Sequence, residues 1–210
     1  MGGGPGTELI AGTARVVGEP GVLPASFYDR PAEQVARDLL GAIVVSDLEG
    51  ARTAGRIVET EAYPGPHDPA SHAAARIGRT RRNETMHGPP GIAYVYRIYG
   101  LHWCLNAVTG TADRPAAVLL RALEPVAGRA TMARRRGRER DLANGPARLT
   151  QALAVDGASD GRPLTRGALR IIEGARVADR RVATGPRIGV TRAREWPLRF
   201  WVRGHAHVSR

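Results

Sequence analysis

Apolar and polar residues alternate with a period of two along several stretches of this chain, the mark of half-buried strands. Thr53 to Tyr63 shows it and carries Glu59, Glu61 and Tyr63 toward one face. Ala42 to Asp47 supplies the partner arm, with a turn over Leu48 to Ala51. The strongest strand pattern runs from Ala93 to Val108 and reads as two strands joined by a tight turn at Tyr99-Gly100. Ala116 to Leu123 is a further buried strand that leads into Glu124-Pro125. Later strands fall at Leu169–Glu173, Arg187–Val190 and Leu198–Arg203, between Gly-, Pro- and Arg-rich loops.

Helical spacing occurs in three places. Asp29 to Gly41 has Asp29 or Arg30 near its N-cap and Pro31 near its first turn. Val35, Leu39 and Leu40 form its apolar stripe, and Gly41 stops it. Val126 to Arg140 is a basic helix, and Gly145-Pro146 opens another that runs through Ala154. Pro64 to Pro90 is irregular, with one helical turn near Ser71 to Ala75. No repeat or heptad pattern interrupts this order, and 210 residues suit one domain with its own core. The expectation is a flexible tail over residues 1–23 and one mixed α/β (α+β) domain over 24–210, built on a mostly antiparallel sheet with flanking helices.

Charge adds a partner to that picture. The net charge is +11, and all 31 basic residues are arginine because the chain has no lysine. Such an excess points to a polyanion, most simply nucleic acid. Without lysine no side-chain amine is available for a Schiff base. No apolar run approaches the ~20 residues that span a bilayer, and the Gly-rich start does not resemble a signal peptide. A soluble cytoplasmic protein, nucleoid-associated in a bacterium, is expected, with no membrane partner. The single cysteine, Cys104, excludes an internal disulfide and a multi-cysteine zinc cage.

The candidate chemistry gathers between Gly55 and His72. A strand glutamate can hold a water and take its proton, so Glu61 is a candidate general base. Glu59 shares its face, and pattern alone leaves the two evenly matched. His67, Asp68 and His72 admit a metal reading, but their spacing does not suit one helix turn, and ordinary loop residues are the simpler assignment. No metal or cofactor is expected. Four of the five tyrosines, Tyr63, Tyr94, Tyr96 and Tyr99, fall within one short interval. Tyr94 and Tyr96 share a strand face, where core packing accounts for at least one. Tyr99 instead sits at a hairpin tip, where a large aromatic needs a partner and can wedge between base pairs. Arg76, Arg79, Arg81 and Arg82 form one basic cluster, and Arg129, Arg134, Arg135, Arg136, Arg138 and Arg140 another. Both are candidates for phosphate contacts. Composition alone favours a non-catalytic nucleic-acid-binding protein; the histidines leave a metal-dependent nuclease open.

Taken together, Gly55–Tyr63 (GRIVETEAY), His72, Tyr94–Gly100 (YVYRIYG), Asn106 and Val118–Pro125 (VLLRALEP) resemble the alkyladenine family, the 3-methyladenine DNA glycosylases. Gly145–Leu149, Arg187–Val190, Leu198–Phe200 and Val202–Gly204 continue the resemblance in order, so it covers nearly all of the chain after Leu23. It implies a monofunctional, monomeric enzyme with a curved sheet and a protruding hairpin that enters the DNA minor groove. The enzyme would flip damaged purines out of double-stranded DNA and hydrolyse their N-glycosidic bond. On this resemblance Glu61 is the base, and Arg121 with the carbonyl of Val190 holds the water. Tyr63, His72 and Tyr96 sandwich the purine, Asn106 screens against guanine's exocyclic amine, and Tyr99 intercalates. Arg121 should also keep Glu61 ionised at neutral pH. The chain departs from the family at His102, where an aromatic is frequent, and in a loop near Trp196 that is shorter than in animal members.

Overall fold

The computed structural model describes residues 21–111 and 114–209. Residues 1–20 of the expected tail lie outside the described residues, but its last three lie on the sheet. Val22 bridges to Ile172, and the buried Leu23 donates its N–H to the Ile171 carbonyl. Two short helices follow, α1 (Ala25–Tyr28) and α2 (Ala32–Asp38). The helix expected over Asp29–Gly41 is therefore shorter at both ends. Pro31 takes its N-cap and keeps the preceding Arg30 off helical backbone, and Leu39 caps its end two residues before Gly41.

The hairpin then forms as β1 (Ile43–Ser46) and β2 (Thr53–Tyr63), and the aromatic pair as β3 (Ala93–Ile98) and β4 (His102–Thr109). Next comes β5 (Ala116–Ala127), which runs past Pro125 to the point where a helix from Val126 was expected. The N–H of Leu123 leaves β2 and reaches the Ala143 carbonyl, so two residues on, the missing N–H of Pro125 falls on the same outward side. Gly128, at φ 69, turns the chain into α3 (Arg129–Arg136). The remaining elements are α4 (Pro146–Leu153), β6 (Leu169–Ile172), β7 (Val182–Gly185) and β8 (Arg199–Val202). The strand expected at Arg187–Val190 is a loop instead. The strand there is β7, ended by Gly185-Pro186, and the loop that follows is used elsewhere.

The result is a mixed α/β single domain with a curled antiparallel sheet and four helices among the described residues. Its strands run β3-β4-β5-β2-β1-β6, and β8 pairs with the far half of β2 while also holding β7. Alternation sorts the strands onto two faces. Ile57, Ala62, Val95, Leu105, Val118, Leu120 and Leu123 join α2, α3 and α4 in the main core. Thr60 also faces this way and anchors its hydroxyl on the Ala36 carbonyl of α2. The opposite face of β3, β4, β5 and β2 is left for the site.

Candidate active site

Register lines the site up before any loop is considered. Tyr94 pairs with Asn106, Asn106 with Leu119, and Leu119 with Glu61, so one row crosses four strands. Tyr96 sits opposite Cys104 in the next row, and Tyr63 opposite Ala117 in the row on the other side. Two loops close over this face. The segment between β2 and β3 brings His72 and Met86, and the loop after β7 brings Ile188 to Thr191. Together they enclose a cavity of about 260 Å³ whose lining includes Glu61, Tyr63, His72, Tyr96, Tyr99, Asn106, Arg121 and Val190. All eight residues that the family resemblance implies for the site thus meet at one place.

Glu61 is fully buried at the inner end of this cavity. Its Oε1 accepts the Ile188 N–H at 2.7 Å and lies 3.4 Å from Nη1 of Arg121, while Oε2 accepts the Tyr63 hydroxyl at 3.1 Å. Burial pushes the Glu61 pKa up, against the downward pull of Arg121, Ile188 and Tyr63, and the net direction is up. The pull that Arg121 was expected to exert on Glu61 is present, but desolvation is the larger effect. Tyr63 is itself pushed up, first by burial and then by the Glu61 charge, so its hydroxyl keeps its proton and donates.

The aromatic walls are fixed from behind. Nδ1 of His72 lies 2.9 Å from the Tyr94 hydroxyl, and its ring meets Tyr96 edge-on at 4.5 Å between centroids. Burial, with Arg82 nearby, lowers the His72 pKa to about 4, so the ring is neutral at physiological pH. Nδ2 of Asn106 donates to the Tyr94 carbonyl at 2.9 Å, which sets the orientation of its amide. The Tyr96 and Tyr94 hydroxyls stay protonated because burial raises both.

Tyr99 is the opposite case, with 85 % of its surface exposed. Tyr99 and Gly100 have φ of 53° and 68°, and the Leu101 N–H closes the turn on the Ile98 carbonyl. Positive φ at both central residues is the signature of a type I′ hairpin turn, which favours Asn-Gly. A tyrosine in the left-handed region is strained by roughly 1–2 kcal/mol.

Several residues escaped the sequence reading. Asp68, set aside there as a loop residue, forms a fully buried bidentate pair with Arg187 at 2.5 and 2.9 Å. The same guanidinium donates to the Ala62 carbonyl and lies 4.6 Å over the Tyr63 ring. This ties the loop after β7 to the end of β2. His67 lies against Trp196 and does not line the cavity. His67, Asp68 and His72 thus have separate partners, and no group of three or more His, Cys, Asp or Glu among the described residues is arranged to hold a metal ion. Glu59 does not line the cavity either; it is buried behind Arg121 and accepts from Arg199 and Ser209.

The arginine clusters divide as well. Arg76 lines the cavity and Arg82 lies over the Tyr96 ring. Arg135 is spent on Glu49, Thr53 and the carbonyls of Leu48 and Ala152. Its contact with Thr53 places it at the start of β2, eight residues and roughly 26 Å along the strand from Glu61. In this cluster, a candidate for phosphate contacts, Arg135 instead braces α3 against the start of β2.

The family model described as methylpurine-DNA glycosylase (MPG) matches residues 26–206. A Myxococcus xanthus protein is 49% identical over 191 residues, covering 90% of this chain and 93% of its own length. A Carboxydothermus hydrogenoformans protein is 46% identical over 192 residues, covering 90% and 99%. A Methanoculleus marisnigri protein is 48% identical over 193 residues, covering 90% and 98%. All three carry 3-methyladenine DNA glycosylase as a provisional name.

Proposed function

The chain belongs to the methylpurine-DNA glycosylase family, a DNA-repair family, and we propose that it excises alkylated and deaminated purines from double-stranded DNA by hydrolysis. The observation that carries this reading is the buried carboxylate of Glu61 at the inner end of a cavity walled by Tyr63, His72 and Tyr96. A purine reaches such a cavity only by leaving the duplex. The hairpin of β3 and β4 enters the minor groove, and Tyr99 fills the gap that the flipped nucleotide leaves. Flipping costs a few kcal/mol, less at a damaged pair, and stacking on Tyr99 offsets part of it.

Inside, the base stacks between Tyr63 on one side and His72 with Tyr96 on the other. The neutral His72 ring does not repel a purine made cationic by alkylation at N3 or N7. Asn106, its amide fixed by Tyr94, screens against the exocyclic amine of guanine. The bond between C1′ and the base nitrogen breaks with its electron pair going to the base, so a cationic purine leaves neutral. Water, held by Arg121 and the Val190 carbonyl, adds its oxygen to C1′ while Glu61 takes the proton. Glu61 also steadies the positive charge that develops on the sugar. The raised pKa suits a base that works near neutral pH. With no lysine in the chain, no side-chain amine can form the Schiff base that would lead to strand cleavage.

Base release from a panel of duplexes with single defined lesions tests this directly, with strand breaks scored before and after alkali. Wild-type protein should release at least one alkylated purine and cut no strand until alkali is added. Glu61→Gln should lower the rate by roughly 10²–10⁴-fold and keep lesion-duplex binding. A Glu61→Gln protein that excises at the normal rate would remove Glu61 from the mechanism. Activity abolished by a chelator and restored by a divalent ion would replace this mechanism with a metal-dependent one.

A further inference from the structure

Arg121 owes its position to a break in the sheet. Ile57 pairs with Leu123, Glu59 with Ala122 and Thr60 with Leu120, so Val58 on β2 and Arg121 on β5 each lack a register partner. A bulge of this kind re-aims a side chain, and such bulges cluster beside active sites. Here it places Arg121 between two buried carboxylates, with Nε 3.2 Å from Glu59 and Nη1 3.4 Å from Glu61. Neither contact is a formed hydrogen bond, and the buried Nε of Arg121 has no hydrogen-bond partner. An arginine free to choose would close on one carboxylate in a bidentate fork. Glu59 cannot yield, because Arg199 Nε at 2.6 Å, Ser209 Oγ at 2.9 Å and the Ser209 N–H at 2.7 Å all hold it.

Resting on the hydrolytic reading of the site, we propose that Glu59 is a positioning residue that holds Arg121 off Glu61, and that Arg199 and Ser209 lock Glu59 in that task. By drawing the guanidinium toward itself, Glu59 leaves Glu61 without a closed ion pair. The Glu61 carboxylate stays available to water, and Arg121 stays beside it in the cavity lining. The charges around Glu61 are consistent with this. On its own strand it faces Glu59 and Tyr63, on β5 Arg121, on β4 Cys104 and on β8 its cross-strand partner Arg199. The loop after β7 adds Arg187 and the Ile188 N–H. Burial is the main upward push on the Glu61 pKa and Glu59 a small further one, while Arg121, Ile188 and Tyr63 pull it down. Removing the Glu59 charge therefore has one sign: Arg121 closes on Glu61, and Glu61 becomes a weaker base.

The test is the pH profile of single-turnover base release for Glu59→Gln beside wild type, with lesion-duplex affinity measured in parallel. The acid limb of Glu59→Gln should move down by about one pH unit, and the plateau rate should fall roughly tenfold. Affinity should stay within about twofold. A brace that merely holds the fold would lower the rate and leave the acid limb where it is, and that result overturns the proposal. Should Glu59→Gln fail to fold, Glu59→Asp keeps the charge but draws the shared oxygen back from Arg121 as well as from Arg199 and Ser209. It should show the same downward movement, and an unmoved limb there counts equally against the proposal. If wild type releases no base from any lesion duplex, the hydrolytic reading fails and takes the role of Glu59 with it, whereas normal wild-type release beside an unmoved limb overturns the role of Glu59 alone.

Discussion

On the helix-covered face of the sheet, Ile57, Leu105, Leu120 and Leu123 are fully buried in one apolar core. On the other face, the same strands bury Glu61, Asn106 and Arg121 around a cavity, with Glu59 buried behind Arg121. The first face is stabilised by burial, which needs only shape and hydrophobicity. The second must satisfy each polar atom individually, and it does so unevenly. Asp68 and Arg187 form a closed bidentate pair with every carboxylate oxygen engaged. Arg121, shared between Glu59 and Glu61, does not. A structural ion pair closes on itself, whereas a working one is kept open.

The largest way to break this comparison is at the closed pair. Arg187→Met leaves Asp68 charged and alone in the interior, and should destabilise the protein by about 3–5 kcal/mol in urea unfolding. Asp68→Leu combined with Arg187→Met should recover most of that loss, because a packed apolar pair avoids the desolvation of two charges. Base release should not recover with it, since the loop carrying Ile188 and Val190 loses its tie to the Ala62 carbonyl. Full activity in the stable double variant would show that the pair does not position that loop.

On the helix face the next change carries the opposite signature. Leu120→Ala removes a fully buried side chain and should cost about 2–5 kcal/mol. The base-release rate per folded molecule should hardly change. A large drop in that rate would mean that the two faces are mechanically coupled through β5.

Glu61→Gln sharpens the contrast with a smaller effect of the reverse sign. Burial raises the folded-state pKa of Glu61 above that of the unfolded chain. The stability linked to its protonated form is fully present below the unfolded value and is lost as pH rises through the folded one. Glu61→Gln should therefore melt close to wild type at the acid end and a few degrees higher at neutral pH, while losing catalysis. Thermal melts at several pH values check this. A lower melting temperature at neutral pH would mean that Arg121 outweighs burial after all.

What the sequence made legible follows the same division. A period of two places the side chains of a regular strand on a face, so Glu61, Tyr63 and Tyr96 were readable as soon as their strands were, whereas Asn106 and Arg121 came only with the family resemblance. The resemblance of GRIVETEAY and YVYRIYG to one family then separated Glu61 from Glu59. The polar network behind the cavity was not readable, because its partners are joined only by the fold. Asp68 and Arg187 are 119 residues apart, and Glu59 and Ser209 are 150 apart. Nothing in the local pattern of Arg187–Val190 distinguishes a short strand from a loop that delivers one N–H to Glu61. Within the basic run after Val126, the fate of Arg135 was hidden for a related reason. Its charge suggested a binding face, but Arg135 points back to the protein's own carbonyls.

The smallest expected stability effect lies at the hairpin tip, where Tyr99 reaches the cavity but stays largely exposed. Tyr99 gains nothing from the fold, being largely exposed and held at φ 53°. Asn tolerates the left-handed region better and, before Gly100, makes the preferred type I′ pair. Tyr99→Asn should therefore leave stability unchanged or raise it by about 0.5 kcal/mol. If the ring stacks in the duplex, the same change should weaken lesion-duplex binding by the roughly 1–3 kcal/mol that a base–aromatic stack contributes. Stability and affinity should thus move in opposite directions. Unchanged affinity beside raised stability would leave the strained tyrosine without a function on DNA and remove the wedge from the mechanism.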